Sequence, residues 1–135
     1  MTLRLCQTLA IAITIMAGIV LTGCRSPDYS GIWQGQTSQG KIISFTITHK
    51  TWITRAKLEC DYQCQQSGFC PAVGTFEGDV TATVNGNSFS ASLSTATFSG
   101  KFDSATTASG EMKVNTTSPQ CGECKAAVTW TAKKL

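Results

Sequence analysis

Five cysteines in the C-terminal part of the chain are the residues best equipped to do chemistry: Cys60, Cys64, Cys70, Cys121 and Cys124. Cys60-x3-Cys64 and Cys121-x2-Cys124 have the spacing of two zinc knuckles, since a tetrahedral ion takes two thiolates from each tight turn. Cys121-Gly122-Glu123-Cys124 also has the spacing of a redox dithiol. Such dithiols rely on a helix N-terminus to lower one thiol's pKa, whereas here Pro119 precedes and a strand-like run follows. The third fate is disulfide formation. Five choices of the odd thiol and three pairings of the other four give fifteen arrangements. Alternation along the chain places Cys60 on one face with Trp52 and Leu58, and Cys124 on one face with Val128 and Trp130, so these two cysteines are expected to meet inside. Cys64 and Cys70 flank "QQSGF", where a bridge would close a short loop and leave Cys121 free.

Which fate prevails depends on the compartment, and the front of the chain speaks to that. "MTLRLCQT" carries one positive charge, Arg4, and Leu9 to Leu21 ("LAIAITIMAGIVL") form an apolar run of 13 residues. A membrane-spanning helix needs roughly 20. Leu21-Thr22-Gly23-Cys24 follows, with small side chains beside a scissile bond and a thiol able to carry a thioether.

These features resemble the bacterial lipoprotein signal peptide and its lipobox. The resemblance covers residues 1–24 alone. It implies that residues 1–23, Cys6 included, are a signal peptide, and that Cys24 becomes an N-terminus bearing a diacylglyceryl thioether and further acyl chains such as palmitate. Each buried methylene contributes about 0.8 kcal/mol, so two or three chains make a stable anchor. Residues 24–30, "CRSPDYS", then form a lipidated tether. Arg25 stands where Asp signals inner-membrane retention in many lipoproteins, which implies the outer membrane if the source has two. A protein of the cell envelope folds in an oxidising compartment. Disulfides are therefore expected ahead of zinc or thiol-redox chemistry, with no metal and no cofactor.

Acid–base and nucleophilic catalysis find little support. The single histidine, His49, sits beside Lys50 at a strand end, with no Gly-x-Ser-x-Gly elbow anywhere in the chain. A general base would need an orienting carboxylate and a nucleophile. The carboxylates Glu59, Asp61, Glu77, Asp79, Asp103, Glu111 and Glu123 fall on outward strand positions or in loops, and no enzyme is expected. The net charge of +3 becomes +2 when the leader takes Arg4 with it, and the longest basic run is Lys133-Lys134. Nucleic acid binding would need a basic stripe.

The elements that must position these residues are strands. Ile43, Phe45 and Ile47 alternate with Ser44, Thr46 and Thr48. Trp52, Ala56, Leu58 and Cys60 make a second inward set, and Phe76, Val80, Ala82 and Val84 a third. Phe89, Ala91 and Leu93, then Phe98 and Phe102 around Gly100, then Met112 and Val114, continue it. Ala126, Val128, Trp130 and Ala132 complete it. Serine and threonine fill the outward positions, as on strands with one wet face. Asn85-Gly86 predicts a type I′ hairpin, and "QGK" (39–41) and "TTASG" (106–110) predict further turns. Gly35, Gly78 and Gly100 are mid-strand, where a bend or close approach would use them.

With "GIWQGQT" the count is about eight strands. The expected fold is all-β: a compact antiparallel meander over residues 31–135, a barrel or a sandwich, after an N-terminal signal helix. "GIWQG" should pair with the C-terminal "VTWTAKKL". Gly31-Ile32-Trp33 is similar to the Gly-x-Trp opening of lipocalin barrels, an eight-strand meander whose tryptophan plugs the floor. "FSGKF" (98–102) with "TTASG" resembles a stretch of small bacterial exported β domains. Neither likeness supplies a site.

The function expected is that of a membrane-anchored envelope lipoprotein with a binding or adaptor domain for a small molecule, a lipid or an envelope protein. The longest connection, Asp61 to Gly74, carries the candidate binding residues Tyr62 and Phe69. A purely structural envelope role is the alternative. A cavity inside the meander would favour binding, and a solid aromatic core the structural role.

Overall fold

A computed structural model describes residues 26–66, 70 and 82–135, together with the backbone of 73–78. The leader, Cys24, Phe69 and the side chains of Phe76 and Val80 lie outside the described residues. Ten strands follow one another: β1 (Gly31–Thr37), β2 (Ile42–Thr48), β3 (Trp52–Asp61), β4 (Gln63–Cys64), β5 (Val73–Gly78), β6 (Ala82–Asn85), β7 (Ser88–Ser92), β8 (Ala96–Phe102), β9 (Thr107–Ser118) and β10 (Gly122–Lys134).

All pairings are antiparallel. β5 pairs with the later half of β3, Ala56–Asp61, and β6 with its first two residues, Trp52 and Ile53, so β5 and β6 share one position in the wall. The order β1-β2-β3-β6-β7-β8-β9-β10 then closes through β1–β10, in the register Trp33↔Lys134 to Thr37↔Trp130. The result is a closed eight-position barrel. β4 is an extra two-residue strand on β10 beyond the reach of β1.

Among the described residues, seven aromatic rings fill the interior. Phe45, Phe89, Phe98 and Trp130 lie within 5.1–6.0 Å of one another, ring centre to ring centre. Trp33 stacks on Phe45 at 6.0 Å and meets Phe102 at 5.0 Å, and Tyr29 stacks on Phe102 at 4.0 Å. Offset and edge-on rings at these separations gain beyond the area they bury.

Glycine makes room for this cluster. Gly100 and Gly110 face each other across β8 and β9. A Cβ on Gly100 would come within 2.4 Å of the Trp130 ring, and one on Gly110 within 2.5 Å of it and 2.0 Å of the Ser99 carbonyl. The indole lies against two bare backbones.

Three sequence expectations are corrected. "TTASG" is not a turn: the chain reverses at 103–106, where Asp103 N donates to Thr107 O at 2.9 Å, and Thr107 to Gly110 belong to β9. The β6–β7 hairpin is where expected, but Asn85 pairs with Ser88, so Gly86 and Asn87 form the loop. Gly86 alone of the two has positive φ (62°), the type II′ pattern.

The third correction concerns β3. Trp52 faces out and Ile53 faces in, yet Ala56, Leu58 and Cys60 face in as expected. The register slips by one residue between Ser44↔Lys57 and Thr46↔Thr54. Arg55 takes φ 50° at that point, and the extra residue reverses the parity of everything before it.

Candidate functional site

The barrel has two unlike ends. Tracing the register puts the entering segment 26–30, the turns at 49–51, 86–87 and 103–106, and the C-terminus at the lower end. The turns at 38–41, 93–95 and 119–121, with the connection after Asp61, lie at the upper end.

At the upper end the cysteines are joined. Cys64 is bonded to Cys124, and Cys70 to Cys121, with Cα separations of 3.9 and 5.7 Å. Cys60 keeps its thiol, buried inside the barrel. The expected pairs Cys60–Cys124 and Cys64–Cys70, with Cys121 free, are therefore not the ones formed. The reason is β4: Gln63 and Cys64 lie alongside Lys125 and Cys124, which sets Cys64 directly opposite Cys124. Cys60 and Cys124 do both face inward, but on strands that are not neighbours. Three of the four thiolates a Cys60–Cys64–Cys121–Cys124 zinc site would need are taken up in disulfides. Cys121 and Cys124 bond to different partners and not to each other.

Polar contacts reinforce the bridges. Gln65 N donates to Glu123 O at 3.0 Å, and Gln66 N to Cys121 O at 3.2 Å. Gln65 and Glu123 also contact through their side chains at 3.5 Å, and Glu123 holds Lys125 at 3.0 Å. Before the loop, Asp61 N donates to Gln39 Oε1 at 2.8 Å, Gln39 Nε2 donates to Asp61 O at 3.0 Å, and Lys41 pairs with the Asp61 carboxylate at 3.2 Å. Gly122, at φ 70°, turns the chain from Cys121 into β10. Tyr62, between β3 and β4, is half-buried. Burial pushes the Cys60 thiol pKa up, and the neighbouring Asp61 charge adds to it.

At the lower end the entering segment is docked without covalent help. Trp33 Nε1 donates to Tyr29 O at 2.9 Å, and Lys134 Nζ donates to Asp28 O at 3.2 Å. The Asp28 carboxylate accepts from Ser30 N at 2.9 Å. That bond, with Lys50 and Lys134 nearby, holds its pKa below the usual carboxylate value. His49 and Lys50 stand in the β2–β3 turn at φ 52° and 68°, both exposed.

Of the residues singled out in the sequence, the structure brings together Cys64, Cys70, Cys121 and Cys124, and Tyr62 precedes β4 in the chain. It sets Cys60 apart. The contacts of Gln39, Lys41, Gln65 and Glu123 have no signature in the sequence, because they are made with backbone or charge across the fold and leave no local pattern. The chain matches no protein-family model, no curated protein and no solved structure.

Proposed function

We propose that this protein is a lipid-anchored component of the bacterial envelope, held at the lower end of its barrel and offering the disulfide-clasped upper end to a protein partner as a binding or adaptor surface. One observation carries the reading: the segment that follows Cys24 enters at the end opposite the clasp. β10 runs 13 residues from Gly122 in the clasp to Lys134 beside the entering chain, about 40 Å along the strand. A domain tethered by residues 24–30 would turn its clasp away from the bilayer. The two bridges suit an oxidising compartment.

The test is intact-mass analysis of the protein extracted from membranes, with and without reductant. The polypeptide is expected to begin at Cys24, to carry diacylglyceryl and acyl mass, and to gain four hydrogens on reduction, two for each bridge. A different N-terminus, or full partition into buffer without detergent, sinks the anchor.

The ring-filled interior supports a second reading, a structural component with no discrete ligand. A photo-crosslinker at exposed Gln66 separates the two in intact cells. A discrete adduct, absent when the probe is moved to Asn87 at the far end, supports the adaptor, and none at either site supports the structural role.

A further inference from the structure

Three of the four large apolar side chains that stand exposed among the described residues lie at the lower end: Ile32 at 54%, Trp52 at 47% and Leu135 at 77%. Their positions are linked. Leu135 N donates to Ile32 O at 2.9 Å. Ile32 opposes Thr46 on β2, and Trp52 opposes Thr48 on the far side of the same strand. Ile32 and Trp52 are thus two strand spacings apart, about 10 Å, with Trp52 one pleat nearer the end. Trp52 faces outward because of the Arg55 bulge: without the added residue its parity would be that of the core. Lys50 stands in the adjoining turn, and Lys133 and Lys134 precede Leu135. The anions near them are Asp28, whose carboxylate is engaged by Ser30 N, and Asp103, which pairs with Lys101 at 3.6 Å and accepts from Ser109 at 2.7 Å.

We infer that this lower rim is a membrane-contact surface, in which Ile32, Trp52 and Leu135, flanked by Lys50, Lys133 and Lys134, rest on an anionic phospholipid bilayer. The inference depends on the lipid-anchor reading and deepens it. The leash decides the matter. Tyr29 is stacked inside the barrel and the Asp28 carbonyl is held by Lys134, which leaves only the residues from Cys24 to Asp28 to span the gap, at most about 14 Å. That is under two Debye lengths at physiological salt, about 8 Å each. Confinement on so short a leash raises the rim's effective concentration at the bilayer, so contacts too weak to hold a free protein are populated. Tryptophan favours the headgroup region, and lysine stems lie over apolar surface with the ammonium among phosphates.

The experiment uses the acylated protein in vesicles of phosphatidylglycerol and phosphatidylcholine. Trp33 and Trp130 are buried, so acrylamide reports on Trp52. Quenching of the Trp52 component should fall by about twofold or more relative to detergent micelles, and shallow brominated lipid should quench it instead. Trp52→Phe should remove both signals. Ile32→Glu with Lys50→Glu should leave flotation with vesicles intact, because the acyl chains remain, while restoring acrylamide access to Trp52. Near-UV circular dichroism of the ring cluster confirms that each variant is folded. Protein that floats with vesicles while acrylamide still reaches Trp52 and brominated lipid does not would overturn the rim contact and spare the anchor. Protein that carries no acyl mass and does not float would overturn the anchor itself.

Discussion

The lower end of the barrel is closed by rings and the upper end by sulfur. Below, Tyr29, Trp33 and Phe102 stack under the core, and two donors, Trp33 Nε1 and Lys134 Nζ, fix the entering chain. Above, β9 and β10 continue past β8 and β1, and the inward side chains shrink to Val114, Ala126 and Cys124. Full burial of a large apolar side chain stabilises by about 1.5–3 kcal/mol, and the upper ribbon has few such side chains to bury. Covalent cross-links stand in for the missing apolar area. The comparison teaches that the two ends resist disruption by different means, and that each should fail under its own perturbation.

The largest expected effect is in the ring-filled core between the two ends. Phe98 is fully buried against Phe45, Phe89 and Trp130, so Phe98→Ala should cost about 3–5 kcal/mol in urea unfolding. That loss should be the same with or without reductant. A loss that vanishes on reduction would mean the core and the clasp are not independent.

The clasp comes next. Cys64–Cys124 and Cys70–Cys121 span 60 and 51 residues, and chain entropy assigns a loop of that length roughly 4 kcal/mol. The bridges are nested, however. With Cys64–Cys124 in place the inner one closes a ring of roughly ten residues, for about 2–3 kcal/mol. The relation is reciprocal: with either bridge in place the other closes the same small ring, so Cys70→Ala with Cys121→Ala and Cys64→Ala with Cys124→Ala should each cost about 2–3 kcal/mol, and all four substitutions together more than the sum of the two pairs. A loss of about 4 kcal/mol from either pair alone would remove the nesting argument. Gly110→Ala falls in a similar range. Its Cβ would sit 2.0 Å from Ser99 O and 2.5 Å from Trp130, and overpacking of this kind costs about 1–3 kcal/mol.

Gly110 also shows what could and could not be read from the residues. Ile43, Phe45 and Ile47 alternate without interruption, and every one of them faces the core. The closure of β1 on β10 was legible for a similar reason, since both strands carry an inward tryptophan and a meander that closes brings its first strand to its last. Glycine is ambiguous: in "TTASG" it suggested a turn, but in the fold it lets β9 approach β8 beneath Trp130. Trp52 was misplaced because the bulge rests on Arg55 in a left-handed conformation, where glycine would have been the signal. The disulfide pairing turned on β4, two residues long, which no periodicity can reveal. Cys24 and Phe69, two of the eight residues singled out in the sequence, lie outside the described residues.

The two core tryptophans give a smaller and finer contrast. Both are buried, but Trp33 Nε1 donates to Tyr29 O while Trp130 Nε1 has no hydrogen-bond partner among the described residues. Replacement by phenylalanine opens a similar gap at each site. At Trp33 it also strands the Tyr29 carbonyl, whereas at Trp130 it removes an orphaned donor. Trp33→Phe should be the more destabilising by about 1–3 kcal/mol. The reverse order would mean that docking of the entering chain contributes nothing at the ring end.

The smallest effect belongs to Cys60, the thiol the clasp leaves out. Native protein should not react with iodoacetamide at this residue, and protein denatured without reductant should be alkylated at Cys60 while Cys64, Cys70, Cys121 and Cys124 stay protected. Burial raises its pKa in the fold, with Asp61 adding to the shift, so the unfolded chain releases its proton first as pH rises. Between the unfolded value, about 8.5, and the higher folded value, the unfolded state binds fewer protons and stability must fall with pH. Below that window the group contributes no slope. Cys60→Ala should therefore flatten the decline in unfolding free energy above about pH 8.5 and leave the profile at pH 6–7 parallel to that of the parent. A parent profile with no alkaline decline would place the thiol in a wetter setting than the core, and would extend the weakness of the upper end down into the barrel.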